Sequence, residues 1–140
     1  MLFKLDERLE KDSVFVCKIG ISQIRLSKDA RYPWLLLIPE INGLSELDDL
    51  SWQQQLDIMQ TSNQLSACLK SLYAPHKLNV AALGNIVKQL HIHHVARFEY
   101  DEAWPGPVWG KGEALRYSNE ALAEQLQQLR KALDDTSVSA

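Results

Sequence analysis

Residues 89–97 read QLHIHHVAR. Three of the four histidines of the chain fall here, at positions 91, 93 and 94; the fourth is His76. On a β-strand, successive side chains point to opposite faces. Leu90 and Ile92 then mark a buried face, on which His94 intrudes. Gln89, His91 and His93 share the other face, with neighbouring Cα atoms roughly 6.5 Å apart. The stretch therefore predicts a strand with one apolar face and a row of polar rings on the other.

The flanks extend this reading. SVFVCKI and ISQIRLS are β-rich and separated by Gly20, which predicts a hairpin. WLLLIP (34–39) is an apolar run ended by Pro39, as in a strand covered on both faces. Ser51 and Gln54 have capping-box spacing and open a long helix ended by Pro75. Its expected stripe is Trp52, Leu56, Met59, Leu65, Cys68, Leu69 and Leu72. KLNVAAL and IVKQLHIHHVARF read as two more strands joined at Gly84-Asn85. A last helix is expected from Asn119 to Leu133, capped by Ser118, with Leu122, Leu126, Leu129 and Leu133 inward. A short N-terminal helix or turn has Leu2, Leu5 and Leu9 on one side. The layout is α+β: an antiparallel sheet of about five strands, a long helix packed on it, and a C-terminal helix.

One domain is expected over 1–134, with a disordered tail at 135–140. The chain is 46% hydrophobic and 24% charged, enough apolar surface to build a core at 140 residues. A net charge of −3 gives no basic footprint, so a nucleic-acid polymer is not an expected partner, whereas a single nucleotide is compatible. No apolar run approaches a membrane span, and MLFKLDERLEKD is charged throughout. Cys17 and Cys68 lack CxxC spacing and read as free thiols of a reducing compartment. A cytoplasmic, non-membrane protein follows as the expectation.

Paired imidazoles on a strand can bind metal, act in nucleophilic chemistry, or simply be a solvated polar row. Histidines at i and i+2 can share an ion, but catalytic zinc takes three protein ligands and structural zinc four. No cysteine is near, and His76 helps only if the loop before KLNVAAL folds over. No metal site and no resident cofactor are therefore assigned.

The wider stretch GNIVKQLHIHHVARFEYD resembles the signature of the histidine triad (HIT) superfamily. Gly84-Asn85 stands where the family has glycine-glutamine. Gln89, His91 and His93 fall on the three histidine positions, and Arg97 on an arginine. WLLLIP is similar to the family strand ending in isoleucine-proline, and Asn79 lies near a phosphate-contacting asparagine. LDERLEKDS, DARYPWLLLIPE and AWPGPVWG resemble a bacterial subgroup. The departures are Gln89 for the first histidine, Asn85 for a glutamine, and Trp34 where many members carry a further histidine.

The resemblance implies a homodimer that binds a nucleotide or nucleotide conjugate. It implies a hydrolase or nucleotidyl transferase acting on a phosphoester or phosphoramidate, with His91 attacking the α-phosphorus to form a nucleotidyl-histidine. His93 is the second catalytic residue, donating to a phosphate oxygen or protonating the leaving group. Gln89, Asn85, Gly84 and Asn79 are the implied substrate-binding residues. Trp104 and Trp109, in the Pro/Gly loop, are rim candidates. A nucleotide-binding or regulatory module with little turnover is the alternative, and a metal-binding protein the third reading.

Overall fold

The computed structural model describes the backbone of residues 1–138 and side chains through Asp134. Its elements are α1 (Glu7–Asp12), β1 (Ser13–Ile19), β2 (Ser22–Ser27), β3 (Trp34–Pro39), α2 (Trp52–Tyr73), β4 (Lys77–Ala81), β5 (Ile92–Arg97) and α3 (Asn119–Val138). A single 3-10 turn, Leu47–Asp49, precedes α2. The strands form one antiparallel sheet in the order β1-β2-β3-β5-β4.

Local chemistry explains most of these boundaries. Gly20 has φ +55° in the two-residue turn between β1 and β2, a conformation that costs a side chain. A Cβ there would collide with the Asp57 carboxylate, which accepts from the Ile21 N–H. Ser51 and Gln54 close the expected capping box on α2, each side chain accepting from the other's backbone N–H. Ala74, at φ 47°, ends that helix before Pro75. Ser118 Oγ accepts from the Ala121 N–H at the start of α3.

The helices α2 and α3 cover one face of the sheet. Ile24, Leu26, Leu35, Leu37 and Ile92 meet Leu65, Leu69, Leu129 and Leu133 there. Cys17 and Cys68 are free thiols in the same layer. On the opposite face, Leu9, Leu36 and Ile38 pack beneath the N-terminal segment, and Tyr32, Val95 and Val108 beneath the Pro/Gly loop. Arg130 covers the β1 edge by donating to the carbonyls of Phe15 and Val16. The other edge, β4, pairs only with β5.

Four expectations are corrected. Residues 82–91 are not strand: Leu90 N–H goes to Leu44 O instead of a sheet partner, and Gly84, at φ +76°, turns the chain. The α2 stripe is displaced toward Ile58, Thr61, Leu65, Cys68 and Leu69, leaving Trp52 (79% exposed), Leu56 and Met59 outside. The small helix α1 buries Leu9 but leaves Leu2 exposed. The last helix continues through Val138, past the Leu133 end expected for it; Ser139 and Ala140 lie outside the described residues.

Candidate functional site

Sheet register builds the site. Pairing of Leu36 with His93 and of Trp34 with Val95 puts these four side chains on the face away from the long helices. His91 precedes β5 on the same side. Both His91 and His93 are only 8% exposed, yet they border a cleft of about 320 Å³. Leu36 and Trp34 join them on its floor. Loop residues Leu83 to Val87 form one wall, so the irregular stretch corrected above is what shapes the cleft. Arg8, Leu9 and Asp12 of α1 form another, and Trp109 closes the rim.

Hydrogen bonding fixes each imidazole. His91 Nδ1 lies 2.7 Å from Gln89 O. A carbonyl only accepts, so Nδ1 carries a proton, and in the neutral ring the lone pair is on Nε2. Trp34 Nε1 lies 3.0 Å from His93 Nδ1. An indole N–H only donates, so His93 has the opposite tautomer. His94 points into the helix layer, donating from Nδ1 to Ile92 O (3.2 Å) and accepting at Nε2 from the Ser62 hydroxyl (2.7 Å). His94 is thus a satisfied core group.

Burial, then the neighbouring His91 and His94 rings, pushes the His93 pKa down to about 3. Burial likewise lowers His94 to about 4, opposed by its bond to Ile92 O. Both are neutral in the fold, whereas in an unfolded chain they protonate near 6.5. Between the folded and unfolded values the unfolded chain binds more protons, so stability rises with pH there. Urea midpoints are therefore expected to fall as pH drops from 7 to 5, and a smaller fall is expected for His94→Gln.

The expected site residues divide. His91, His93, Gly84 and Asn85 come together in the cleft. Gln89 does not face it, because its amide is consumed elsewhere: Oε1 accepts from Asp6 N–H (2.8 Å) and Nε2 donates to Lys4 O (2.9 Å). Asn79 also lies away, with Oδ1 accepting from Arg97 Nη1 at 2.7 Å. Arg97 in turn forms an ion pair with Asp101 and donates to Gly106 O. Trp109 packs on His93 at 5.2 Å, but Trp104 stacks edge-on against His76 at 5.1 Å and lies under Arg97. His76, beside Glu99, stands apart from the other histidines. Among the described residues no group of three His, Cys, Asp or Glu side chains is placed to hold a metal ion.

Arg8, Asp12 and Ser27 were not visible as site residues from sequence. Arg8 and Asp12 reach the cleft because α1 packs Leu9 on Leu36 and Ile38 of β3 and Arg8 donates to Ile86 O at 3.0 Å, and Ser27 borders it from the end of β2. Trp34 could be suspected from its place at the start of an apolar strand, but its partner depends on register.

The class of protein is an antiparallel α+β domain that sets two imidazoles, each held by a different hydrogen bond, beside a mostly apolar cleft. The HIT domain family matches residues 8–100, and the chain belongs to that family. A histidine triad protein from Sinorhizobium meliloti 1021 is 40% identical, with a TM-score of 0.90 over 93% of this chain and 96% of its own. A histidine triad protein from Marinobacter aquaeolei VT8 is 38% identical, with a TM-score of 0.93 over 97% and 99%. One from Bradyrhizobium japonicum is also 38% identical, with a TM-score of 0.92 over 95% and 99%. A search of curated proteins returned no match.

Proposed function

We propose that the protein binds a nucleotide or nucleotide conjugate and transfers its nucleotidyl group through His91, to water or to another acceptor. The observation that supports this most is the 2.7 Å bond from His91 Nδ1–H to Gln89 O, which in the neutral ring leaves Nε2 as the nucleophile beside the cleft. Nε2 donates its lone pair to the α-phosphorus. A P–N bond forms, and the bond from phosphorus to the leaving group breaks. The leaving group departs with the electron pair and takes up a proton. Water then attacks phosphorus, loses a proton, and releases His91 in its starting form. His93 supplies a hydrogen bond or a proton on the same face. Gly84 and Asn85, which line the cleft, hold the phosphate in this reading, and the cleft's apolar walls suit a base ring.

Incubation with nucleotide phosphoramidates and phosphoesters, with and without chelator, tests the reading. Turnover insensitive to chelator is expected. Binding without turnover would instead support a nucleotide-binding module, a reading favoured by one observation: at the first triad position, Gln89 cannot titrate and is tied to the N-terminal segment. Turnover lost on chelation would support metal chemistry.

The protein acts as a homodimer in this proposal. Trp52, Leu56 and Met59 form an exposed stripe one helical repeat apart on α2. Val80, on the free β4 edge beside His94, is also exposed. A second copy can bury this stripe and satisfy that edge. Sedimentation at micromolar concentration is expected to give a dimer, and Trp52→Glu with Met59→Glu to shift it to monomer. Among the described residues no helix is long and apolar enough to cross a membrane. A cytoplasmic setting completes the proposal.

A further inference from the structure

The two site imidazoles have opposite tautomers, and a different group sets each. Gln89 O holds the proton of His91 on Nδ1. For His93 the neighbour is Trp34 Nε1, 3.0 Å from Nδ1. Indole N–H has no acceptor capacity, so it cannot coexist with a proton on His93 Nδ1. The neutral ring must then carry its proton on Nε2. An imidazolium would set N–H against N–H at the same spot. The arrangement is packed as well as bonded: Trp34 lies 5.6 Å from the His93 ring, and Trp109 lies 5.2 Å from it and 6.1 Å from Trp34. The register that pairs Trp34 with Val95 and Leu36 with His93 keeps the indole beside the imidazole.

We infer that Trp34 is the positioning residue of the site, locking His93 as a neutral Nε2–H donor that hydrogen-bonds a phosphoryl oxygen and does not supply the leaving-group proton. This rests on the proposed chemistry at His91 and deepens it. A neutral imidazole that gave up its Nε2 proton would become an imidazolate, a far worse outcome than proton uptake from water. His93 therefore keeps its proton throughout. The donated bond strengthens as negative charge grows on the phosphoryl oxygens, and water protonates the departing group. The position where many HIT proteins carry a histidine is thus a working part of this site.

The test needs no substrate. Two-bond proton–nitrogen correlation spectra of the histidine-labelled protein at neutral pH report which ring nitrogen of His93 bears the proton. The wild type is expected to show Nε2 protonated and Nδ1 bare. Trp34→Phe keeps an aromatic ring in place and is expected to move Nδ1 toward a mixed, averaged state, with the His91 pattern unchanged. On a turned-over nucleotide substrate, Trp34→Phe is expected to lower kcat about tenfold while KM stays within about twofold. A wild-type His93 with its proton on Nδ1, or averaged over both nitrogens, overturns the inference even if the variant fails to fold. So does a folded Trp34→Phe with an unchanged His93 spectrum. If no substrate is turned over by the wild type while the His93 spectrum is as expected, the reading of the activity fails and the tautomer assignment stands.

Discussion

His91→Ala is expected to abolish turnover, with a fall on the order of 10⁴-fold or more, the scale found when a covalent nucleophile is removed. Nucleotide affinity is expected to stay within about tenfold, or about 1.4 kcal/mol. The separation arises because His91 supplies a bond-forming lone pair, whereas Gly84, Asn85 and the apolar walls remain in place. His93→Ala is expected to cost less, about 10²–10³-fold in kcat, the range for losing one donor to a developing oxyanion. Single-turnover kinetics with a phosphoramidate, alongside equilibrium binding of the product nucleotide, measure both. Wild-type turnover by His91→Ala would remove the proposed mechanism, since none of the other three histidines offers a bare Nε2 to the cleft. His93 has its proton on Nε2, His94 gives its Nε2 to Ser62, and His76 stands apart beside Glu99.

The second large effect concerns stability. The Arg97 side chain is 1% exposed, and its guanidinium meets the Asp101 carboxylate at 2.9 and 3.0 Å, Asn79 Oδ1 and Gly106 O. Asp101 also accepts from the backbone N–H groups of Phe98 and Trp104. Burial alone would raise the Asp101 pKa. The bonds from Arg97 and from these two N–H groups outweigh it and hold the carboxyl below its ordinary value. Asp101→Ala would leave a buried cation unpaired and the Phe98 N–H unmet, while the Trp104 N–H would keep only its bond to the carbonyl of residue 101. A loss of about 3–5 kcal/mol is expected, which for a domain of this size lowers Tm by roughly 10 °C or more. Because the folded pKa of Asp101 is depressed, its contribution is present above the unfolded value near 3.9 and fades as pH falls through the folded one. Thermal melts of Asp101→Ala and of the double variant Asp101→Ala/Arg97→Met check the cause. Removing both charges should recover part of the loss, and a double variant less stable than the single one would argue against an unpaired charge.

This cluster bears on the site indirectly. Arg97 ties the end of β5 to the Pro/Gly loop through Gly106, and that loop carries Trp109 to the rim of the cleft. Asn79, implied by family resemblance to touch phosphate, belongs to the same cluster. Gln89 has a similar history. It is not an empty histidine position: its side-chain amide is tied to the N-terminal segment, and its own backbone carbonyl orients His91.

Much of this protein was legible along the chain. Alternation in LHIHHV separated His91 and His93 from Ile92 and His94, because a strand's period of two is a property of the backbone. The Gly20 turn, the Ser51–Gln54 box and the stop at Pro75 are likewise local, each set by a few neighbouring residues. The family signature pointed to His91, His93, Gly84 and Asn85, which the fold brings to one cleft, because its histidine spacing depends on the same strand period. Tertiary structure decided the rest. Whether Trp52 or Ile58 is buried depends on how α2 rotates against the sheet, and an α-helix with apolar residues on more than one side does not specify that alone. Whether residues 82–91 pair or bulge depends on Leu44, far away in sequence. Which nitrogen of His93 carries its proton depends on Trp34, a residue 59 positions earlier that only strand register brings within hydrogen-bond distance.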